Sequence, residues 1–394
     1  MTPPRELLTS RALQLSVTRA VRDAGDFRAM ASTVNALRLA AGFASLGSLL
    51  LGGAIAAQHA PERPAILRRE FVSDTLSAPS VHASTIVAVP GGLLAAWFGG
   101  SHEGANDVGI WASRFVDGRW TEPAEIAVCV GPDGSRTACW NPVLFADARG
   151  AIRLFYKSGP GPARWWGMAQ YSTDAGRSWS TAERLPPGVL GPIKNKPVML
   201  AADTIVSGSS TESTANPSSW RVHFERSTDG GRTWTIVPAE QRIDAIQPSI
   251  LVHADGRLEA VGRTRSGRIF ETWSADRGAH WSELALTALP NPNSGLDAVT
   301  LRDGRQLIVY NHTSNGRSPL NVAVSRDGKL WEAAVVLEDE PGAEFSYPAV
   351  IQTADELVHI TYTWKRRRIR HVVIDPARLR TTPMPAGRWP PAVR

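Results

Sequence analysis

Cysteine is nearly absent: the chain has two in 394 residues, Cys129 and Cys139. Their spacing suits a bridge closing a loop in an exported chain, and equally two buried thiols. The nine histidines are dispersed, with no spacing that would hold a metal, and no glycine-rich nucleotide loop occurs. Neither a metal nor an organic cofactor is therefore expected. Helical periodicity is missing from residue 60 onward, which excludes a helical bundle. Dense runs of one charge are scarce as well. The chain carries a net charge of +6 and a pI near 9.7, but its basic residues are scattered, and "KRRRIR" (365–370) is the one compact run. That run contains Ile369 and reads as the solvated face of a strand, so nucleic acid is not expected as a partner.

What remains is abundant in turn and packing residues: 34 glycines, 28 prolines and 14 tryptophans, with 43% hydrophobic residues to fill a large core. The first sixty residues differ from the rest. "LRLAAGFASLGSLLLGGAIAA" (37–57) is apolar with a single charge, Arg38. Started from Met30, it reads as a cleaved leader ending at Ala54-Ile55-Ala56; read from Met1, it is long enough for one membrane anchor. Either way the remainder is exported, periplasmic or secreted, with contact to a membrane only through this segment if it is uncleaved. The expected organisation is a leader or anchor region over 1–60, a main domain over 61–380 and a Pro-rich tail over 381–394.

The main domain repeats itself. Six segments share one pattern of polar opening, aliphatic run, tight turn and second aliphatic run. They are "HASTIVAVPGGLLAAWFGG" (82–100), "NPVLFADARGAIRLFYKSG" (141–159), "KPVMLAADTIVSGSS" (196–210), "QPSILVHADGRLEAVGR" (247–263), "DAVTLRDGRQLIVYN" (297–311) and "YPAVIQTADELVHITYTW" (347–364). Each is a β-hairpin by its alternation and turn residues. A third strand follows most of them, then a Ser-x-Asp-x-Gly-x-x-Trp turn: "STDAGRSW" (172–179), "STDGGRTW" (227–234), "SADRGAHW" (274–281). The closing tryptophans, at 120, 179, 234, 281 and 331, set a repeat of about fifty residues. The fold class is therefore all-β, a six-bladed β-propeller of four-stranded antiparallel blades. The last unit lacks its own tryptophan turn, and a strand near "AILRREFV" (65–72) is expected to complete the ring. The turn itself is scaffold, because a residue needed once in a mechanism is not copied around a ring.

In a propeller, the start of strand one, the end of strand two and the start of strand three reach the same face. That rule nominates His82, Asn141, Lys194, Lys196, Gln247, Asp297 and Tyr347, then Arg263, Arg265 and His312, then Asp107 and Arg317. Charged residues are seldom buried unpaired, so such a ring implies a polar ligand or mutual pairing across the channel. Guanidinium forks suit a carboxylate, and tryptophans suit sugar faces, so an acidic saccharide fits both.

From about residue 66 the chain resembles the sialidase (neuraminidase) superfamily, as a divergent member. The six-blade count and the turns, known there as Asp-boxes or bacterial neuraminidase repeats, carry the resemblance. It implies a carboxylate held by arginines, a tyrosine nucleophile backed by a glutamate, and an aspartate acid/base. "YPAVIQTADELVHITYTW" is similar to the nucleophile segment and gives Tyr347 that role. "RSPLNVAVS" and "GRTRS" resemble two arginine segments and give Arg317 and Arg263. By position in "GGSHEGANDVG", Asp107 is the acid/base, with Glu103 and His102 as rivals.

Two positions depart from the pattern. His82 stands where the first arginine belongs, and Gln247 where the glutamate belongs. A tyrosine with an ordinary pKa of about 10 needs a base, and glutamine is not one. Glu212, Glu225, Glu271 or His82 are the candidates to replace it. The leading expectation is an exported sialidase-like glycoside hydrolase acting on a terminal acidic sugar other than sialic acid. Tyr347 with Asp107 or Glu103 would do the chemistry, and Arg263, Arg317, Lys194 and Lys196 would hold the substrate. Two alternatives stand: a uronic-acid polysaccharide lyase using His82 with Tyr347, and a carbohydrate-binding propeller without catalysis.

Overall fold

A computed structural model describes residues 64–393 apart from Ala202. The expected leader or anchor over 37–57 lies outside the described residues.

The six hairpins form where the sequence placed them, each opening one antiparallel sheet of a six-bladed propeller. The inner strands are Ser80–Val89, Cys139–Ala146, Val198–Ala201, Ala245–Val252, Asp297–Thr300 and Phe345–Gln352. Each pairs with a second strand that pairs in turn with a third, so every blade is a meander running outward. Both faces of a blade pack against neighbours. The second strands accordingly read as aliphatic runs, such as "LLAAW" (93–97), and are buried almost throughout.

The ring closes with the strand expected at the start of the domain. Ile66–Phe71 pairs antiparallel with Arg368–Ile374 as the outermost strand of the sixth blade. The sixth blade is thus built from both ends of the propeller, and the ring is closed. The tail past residue 380 is also incorporated. Thr382–Pro383 pairs with Trp331–Glu338 at the edge of the fifth blade, and Met384 is buried there.

The Asp turns are the joints between blades. In the second blade, Asp174 Oδ1 accepts from the amides of Arg177 and Ser178, both at 2.9 Å, while Ser172 Oγ accepts from Gly176 N at 2.8 Å. Asp229 with Ser227, and Asp327 with Ser325, repeat this pattern. Each turn then sits on the preceding blade. A Cβ on Gly328 (φ +74) would lie 2.0 Å from Glu259 Oε2, so only glycine meets both the backbone and the space there. Trp281 stacks on Phe224 of the blade before it, ring centroids 3.7 Å apart. These turns bind neighbouring blades together.

Candidate active site

Four inner strands enter the channel through the same distortion. Their pairing slips between His82 and Thr85, Trp140 and Val143, Ile246 and Ser249, and Ser346 and Ala349. At each slip one non-glycine residue has left-handed backbone: Ala83 (φ 56), Asn141 (φ 40), Gln247 (φ 59) and Tyr347 (φ 51). Such backbone costs about 1–3 kcal/mol per residue and is held only by surrounding structure. A bulge re-aims the side chains beside it, which is how strands that otherwise alternate bring polar groups to one mouth.

Tyr347 is the hub of the resulting cluster. Its ring centroid lies 4.1 Å from that of His82. The guanidinium carbons of Arg263 and Arg317 stand 5.5 and 5.6 Å from the same ring, and Lys194 Nζ stands 5.9 Å from it. The backbone of Gly295 closes one side, where a Cβ would lie 3.2 Å from the ring. On another side Phe98, Trp140 and Trp165 continue from His82 as an edge-to-face chain, with centroids 5.6 to 6.0 Å apart. The buried indole Nε1 of Trp165 has no hydrogen-bond partner among the described residues.

The electrostatics follow from crowding cations around a buried ring. Burial, then the charges of Arg366, Arg317, Arg263 and Lys194, hold the His82 pKa well below its usual value. His82 is a neutral imidazole at physiological pH. Its Nδ1 lies 3.0 Å from Thr363 Oγ1, and its Nε2 has no hydrogen bond among the described residues. Burial pushes Glu212 upward, with Arg263 opposing, so this carboxyl favours its protonated form more than an ordinary glutamate does. It lies across the strand pair from Trp220, whose ring stacks under Arg263 at 5.4 Å and Arg265 at 4.0 Å. Gln247 Oε1 and Arg263 Nε are buried without hydrogen-bond partners among the described residues.

Other nominated residues form the floor of the channel. Asp297 accepts from Ser249 Oγ at 2.7 Å, Val350 N at 2.9 Å and Lys196 Nζ at 3.0 Å, tying four blades together. Lys194 Nζ donates to Asn195 Oδ1 at 2.9 Å, to Leu296 O at 2.8 Å and to Pro348 O, pinning the bulge after Tyr347. Burial pushes its pKa down to about 7, with Asp297 opposing. The ring of charge thus divides into a paired floor, containing Lys196 and Asp297, and an incompletely paired mouth.

The remaining nominees sit outside the Tyr347 cluster. Asp107 accepts from Ser101 N and Ser101 Oγ, both at 3.0 Å, and so fastens its own loop. His102 meets the same hydroxyl at 3.2 Å. Arg265 pairs with Asp244 at 3.0 Å. His312 bonds the Tyr310 hydroxyl at 2.6 Å and packs against Trp389 of the tail. Asn141 is buried on its bulge with no side-chain hydrogen bond among the described residues. Glu103 does reach the cluster's rim, through Arg366 Nη1 at 2.6 Å.

Arg366 and Glu344 escaped the sequence reading. Glu344 Oε1 accepts from Arg366 Nε at 2.7 Å and Arg317 Nη1 at 2.8 Å, so a chain of alternating charge runs along the rim from Glu103 to Arg317. The signal for Arg366 was the basic run itself, read as strand. Its first three residues are instead a hairpin turn, with Lys365 (φ 52) and Arg366 (φ 58) left-handed, and strand resumes only at Arg368. Asn311 does a quieter job: its Nδ2 donates to the carbonyls of Arg317, Pro319 and Phe345, each at 2.9 Å, and so seats the Arg317 segment against the sixth blade.

Solved structures share this fold. The chain aligns with the NanB sialidase of Streptococcus pneumoniae at a TM-score of 0.60 and 14% identity, covering 80% of this chain and 71% of that one. The intramolecular trans-sialidase of Ruminococcus gnavus, solved with oseltamivir carboxylate, aligns at 0.62 and 15% over 80% of this chain and 98% of that one. A protein of unknown function from Dyadobacter fermentans aligns at 0.64 and 17%, covering 77% of this chain and 98% of its own. At such identities the likeness establishes the architecture and leaves the chemistry to the site. No curated protein sequence matches the chain. The family model for the BNR repeat-like domain matches residues 91–360, well over half of the sequence and five of its six hairpins whole or nearly so, and the chain belongs to that family.

Proposed function

We propose that this propeller is an exported glycoside hydrolase that cleaves a terminal acidic sugar in the channel mouth. The observation that carries the reading is the Tyr347 cluster: one phenol at the mouth, with two guanidiniums, the Lys194 amino group and a neutral imidazole around its ring. Arg263 and Arg317 suit a sugar carboxylate, because each planar fork offers paired donors. Trp165, whose indole Nε1 has no partner among the described residues, adds a hydrogen-bond donor near them.

In the hydrolytic route Tyr347 Oη attacks the anomeric carbon as the glycosidic C–O bond breaks. Water then cleaves the tyrosyl–sugar bond and restores the phenol. The phenolic proton needs an acceptor, and Gln247 is not one. His82 is the neutral imidazole in contact with the ring; with its Nδ1 proton directed toward Thr363, Nε2 can accept the phenolic proton only in transit, because burial and the surrounding cations disfavour a standing imidazolium. A carboxyl must protonate the leaving oxygen. Glu212, pushed toward its protonated form, is the group whose surroundings support that role better than the loop-fastening Asp107 or Glu103, which is ion-paired to Arg366. The disulfide between Cys129 and Cys139 supports export, since such bonds persist in oxidising compartments.

A second reading draws on the same His82–Tyr347 contact. In a lyase the pair would remove and relay the proton α to a uronate carboxylate that the arginines neutralise. Incubation with aryl glycosides of acidic and neutral sugars, and with uronate oligosaccharides, separates the two. Hydrolysis of an acidic glycoside that falls on the order of 10³-fold or more in Tyr347→Phe supports the hydrolase. An unsaturated uronate product supports the lyase, and binding without turnover reduces the protein to a lectin-like propeller.

A further inference from the structure

The hairpin that places Arg366 at the mouth presents its other cations to a separate cavity. Phe71, Leu76, Trp364, Lys365, Arg367 and Arg368 line a space of about 390 Å³ on the outer side of the turn. Its aromatic base is Phe71 packed edge-on against Trp364, ring centroids 5.3 Å apart. Cations cover those rings: Arg370 and Arg368 lie 4.0 and 4.9 Å from Phe71, and Lys365 lies 4.6 Å from Trp364. Stacking fixes a guanidinium plane while leaving its N–H edge outward, so these groups are held ready for anions.

The charge there is only partly answered by the protein, Arg370 being paired with Glu338 at 3.8 Å. Lys365 is matched by Glu340 at 2.7 Å, but neither Arg367 nor Arg368 has a carboxylate within ion-pair distance among the described residues. Arg368 donates to the backbone carbonyl of Asp74 at 3.1 Å. Arg367 is exposed, and its one hydrogen bond among the described residues is made by its backbone, to Trp364 O at 3.1 Å. The cavity adjoins the mouth. The carbonyl of Arg366 accepts from Val81 N at 2.9 Å, next to His82, so one turn forms the wall between the two.

We propose that this cavity is a second subsite, which holds the following residues of an anionic polysaccharide whose terminal sugar occupies the channel mouth. The inference rests on the reading of the mouth as an acidic-sugar site, and it names the substrate as a charged chain. A single-stranded nucleic acid fits less well, because stacking bases need open aromatic faces and these are already capped by cations.

Calorimetric titration of the full chain with galacturonate and with hexagalacturonate tests it. The hexamer should bind at least about tenfold tighter than the monomer, with the gain shrinking as salt is raised. Arg367→Glu should abolish the gain and leave monomer binding unchanged, while Arg367→Lys keeps most of it. An unchanged unfolding temperature shows that either variant is intact. Equal affinity for monomer and hexamer overturns the proposal, as does a gain that survives Arg367→Glu. An oligonucleotide of matched charge binding as tightly as the hexamer overturns it too. If the monomer fails to bind while the hexamer binds through Arg367, the cavity stands and the reading of the mouth fails.

Discussion

Tyr347 has four cationic or imidazole neighbours and no carboxylate among its ring contacts, so proton handling at the mouth falls to His82. That histidine is unusual in being silenced by its neighbours. Burial and the charges of Arg366, Arg317, Arg263 and Lys194 all oppose its protonation, and its pKa sits well below the ordinary value of 6.5. Its ring resonances, assigned by their loss in His82→Asn, should therefore show no titration between about pH 6 and 8. A full protonation step in that range would mean the cations are not gathered as described. The sequence could nominate His82, Arg263, Arg317 and Tyr347 because blade position alone selects one face. It could not reveal Arg366, because a basic run looks the same whether it lies along a strand or turns back toward a pocket. Nor could it separate the paired Lys196 and Asp297 from the mouth, since pairing across blades is set by three-dimensional closure.

Among the elements, the Asp turns were the most legible, since their hydrogen bonds connect residues within one eight-residue motif. The loop from 129 to 139 was the least. A sequence separation of ten between two cysteines leaves the Cα separation undetermined, and the structure closes it to 5.4 Å. The bridge leads directly into the inner strand Cys139–Ala146, whose bulge carries Asn141, so it anchors one wall of the mouth. Cross-linking a loop of this length restricts the unfolded chain by an amount worth about 3 kcal/mol. Replacing Cys129 and Cys139 together by alanine should lower unfolding stability by about 2–3 kcal/mol in a denaturant titration. A loss below about 0.5 kcal/mol would show the loop to be held by its other contacts.

The whole propeller was legible because it is periodic: six hairpins and a spare strand at the start allow one closed arrangement. What periodicity hides is the cost of lining a closed channel with charge. Lys157 and Lys194 are both fully buried, and burial pushes each down to about 7 from 10.5. Among the described residues, Lys157 Nζ has a single acceptor, Pro192 O at 2.8 Å, and Glu225 is the charge that opposes the shift. Between those two values the unfolded chain binds protons that the folded chain does not. Stability therefore rises with pH from about 7 toward 10.5, and the contribution is lost as pH falls back through the folded value. Burial raises Tyr156 to about 12 and holds Tyr310 well above its ordinary value of 10, so these phenols reverse the trend only above about pH 10. The unfolding free energy of the intact propeller should accordingly be greater at about pH 9 than at about pH 7. Lys157→Met removes one of the two titrating groups, keeps the apolar stem and should flatten that slope by roughly half. A stability that instead falls steadily from pH 7 to 9 in the wild-type chain would show that both lysines stay charged inside the fold.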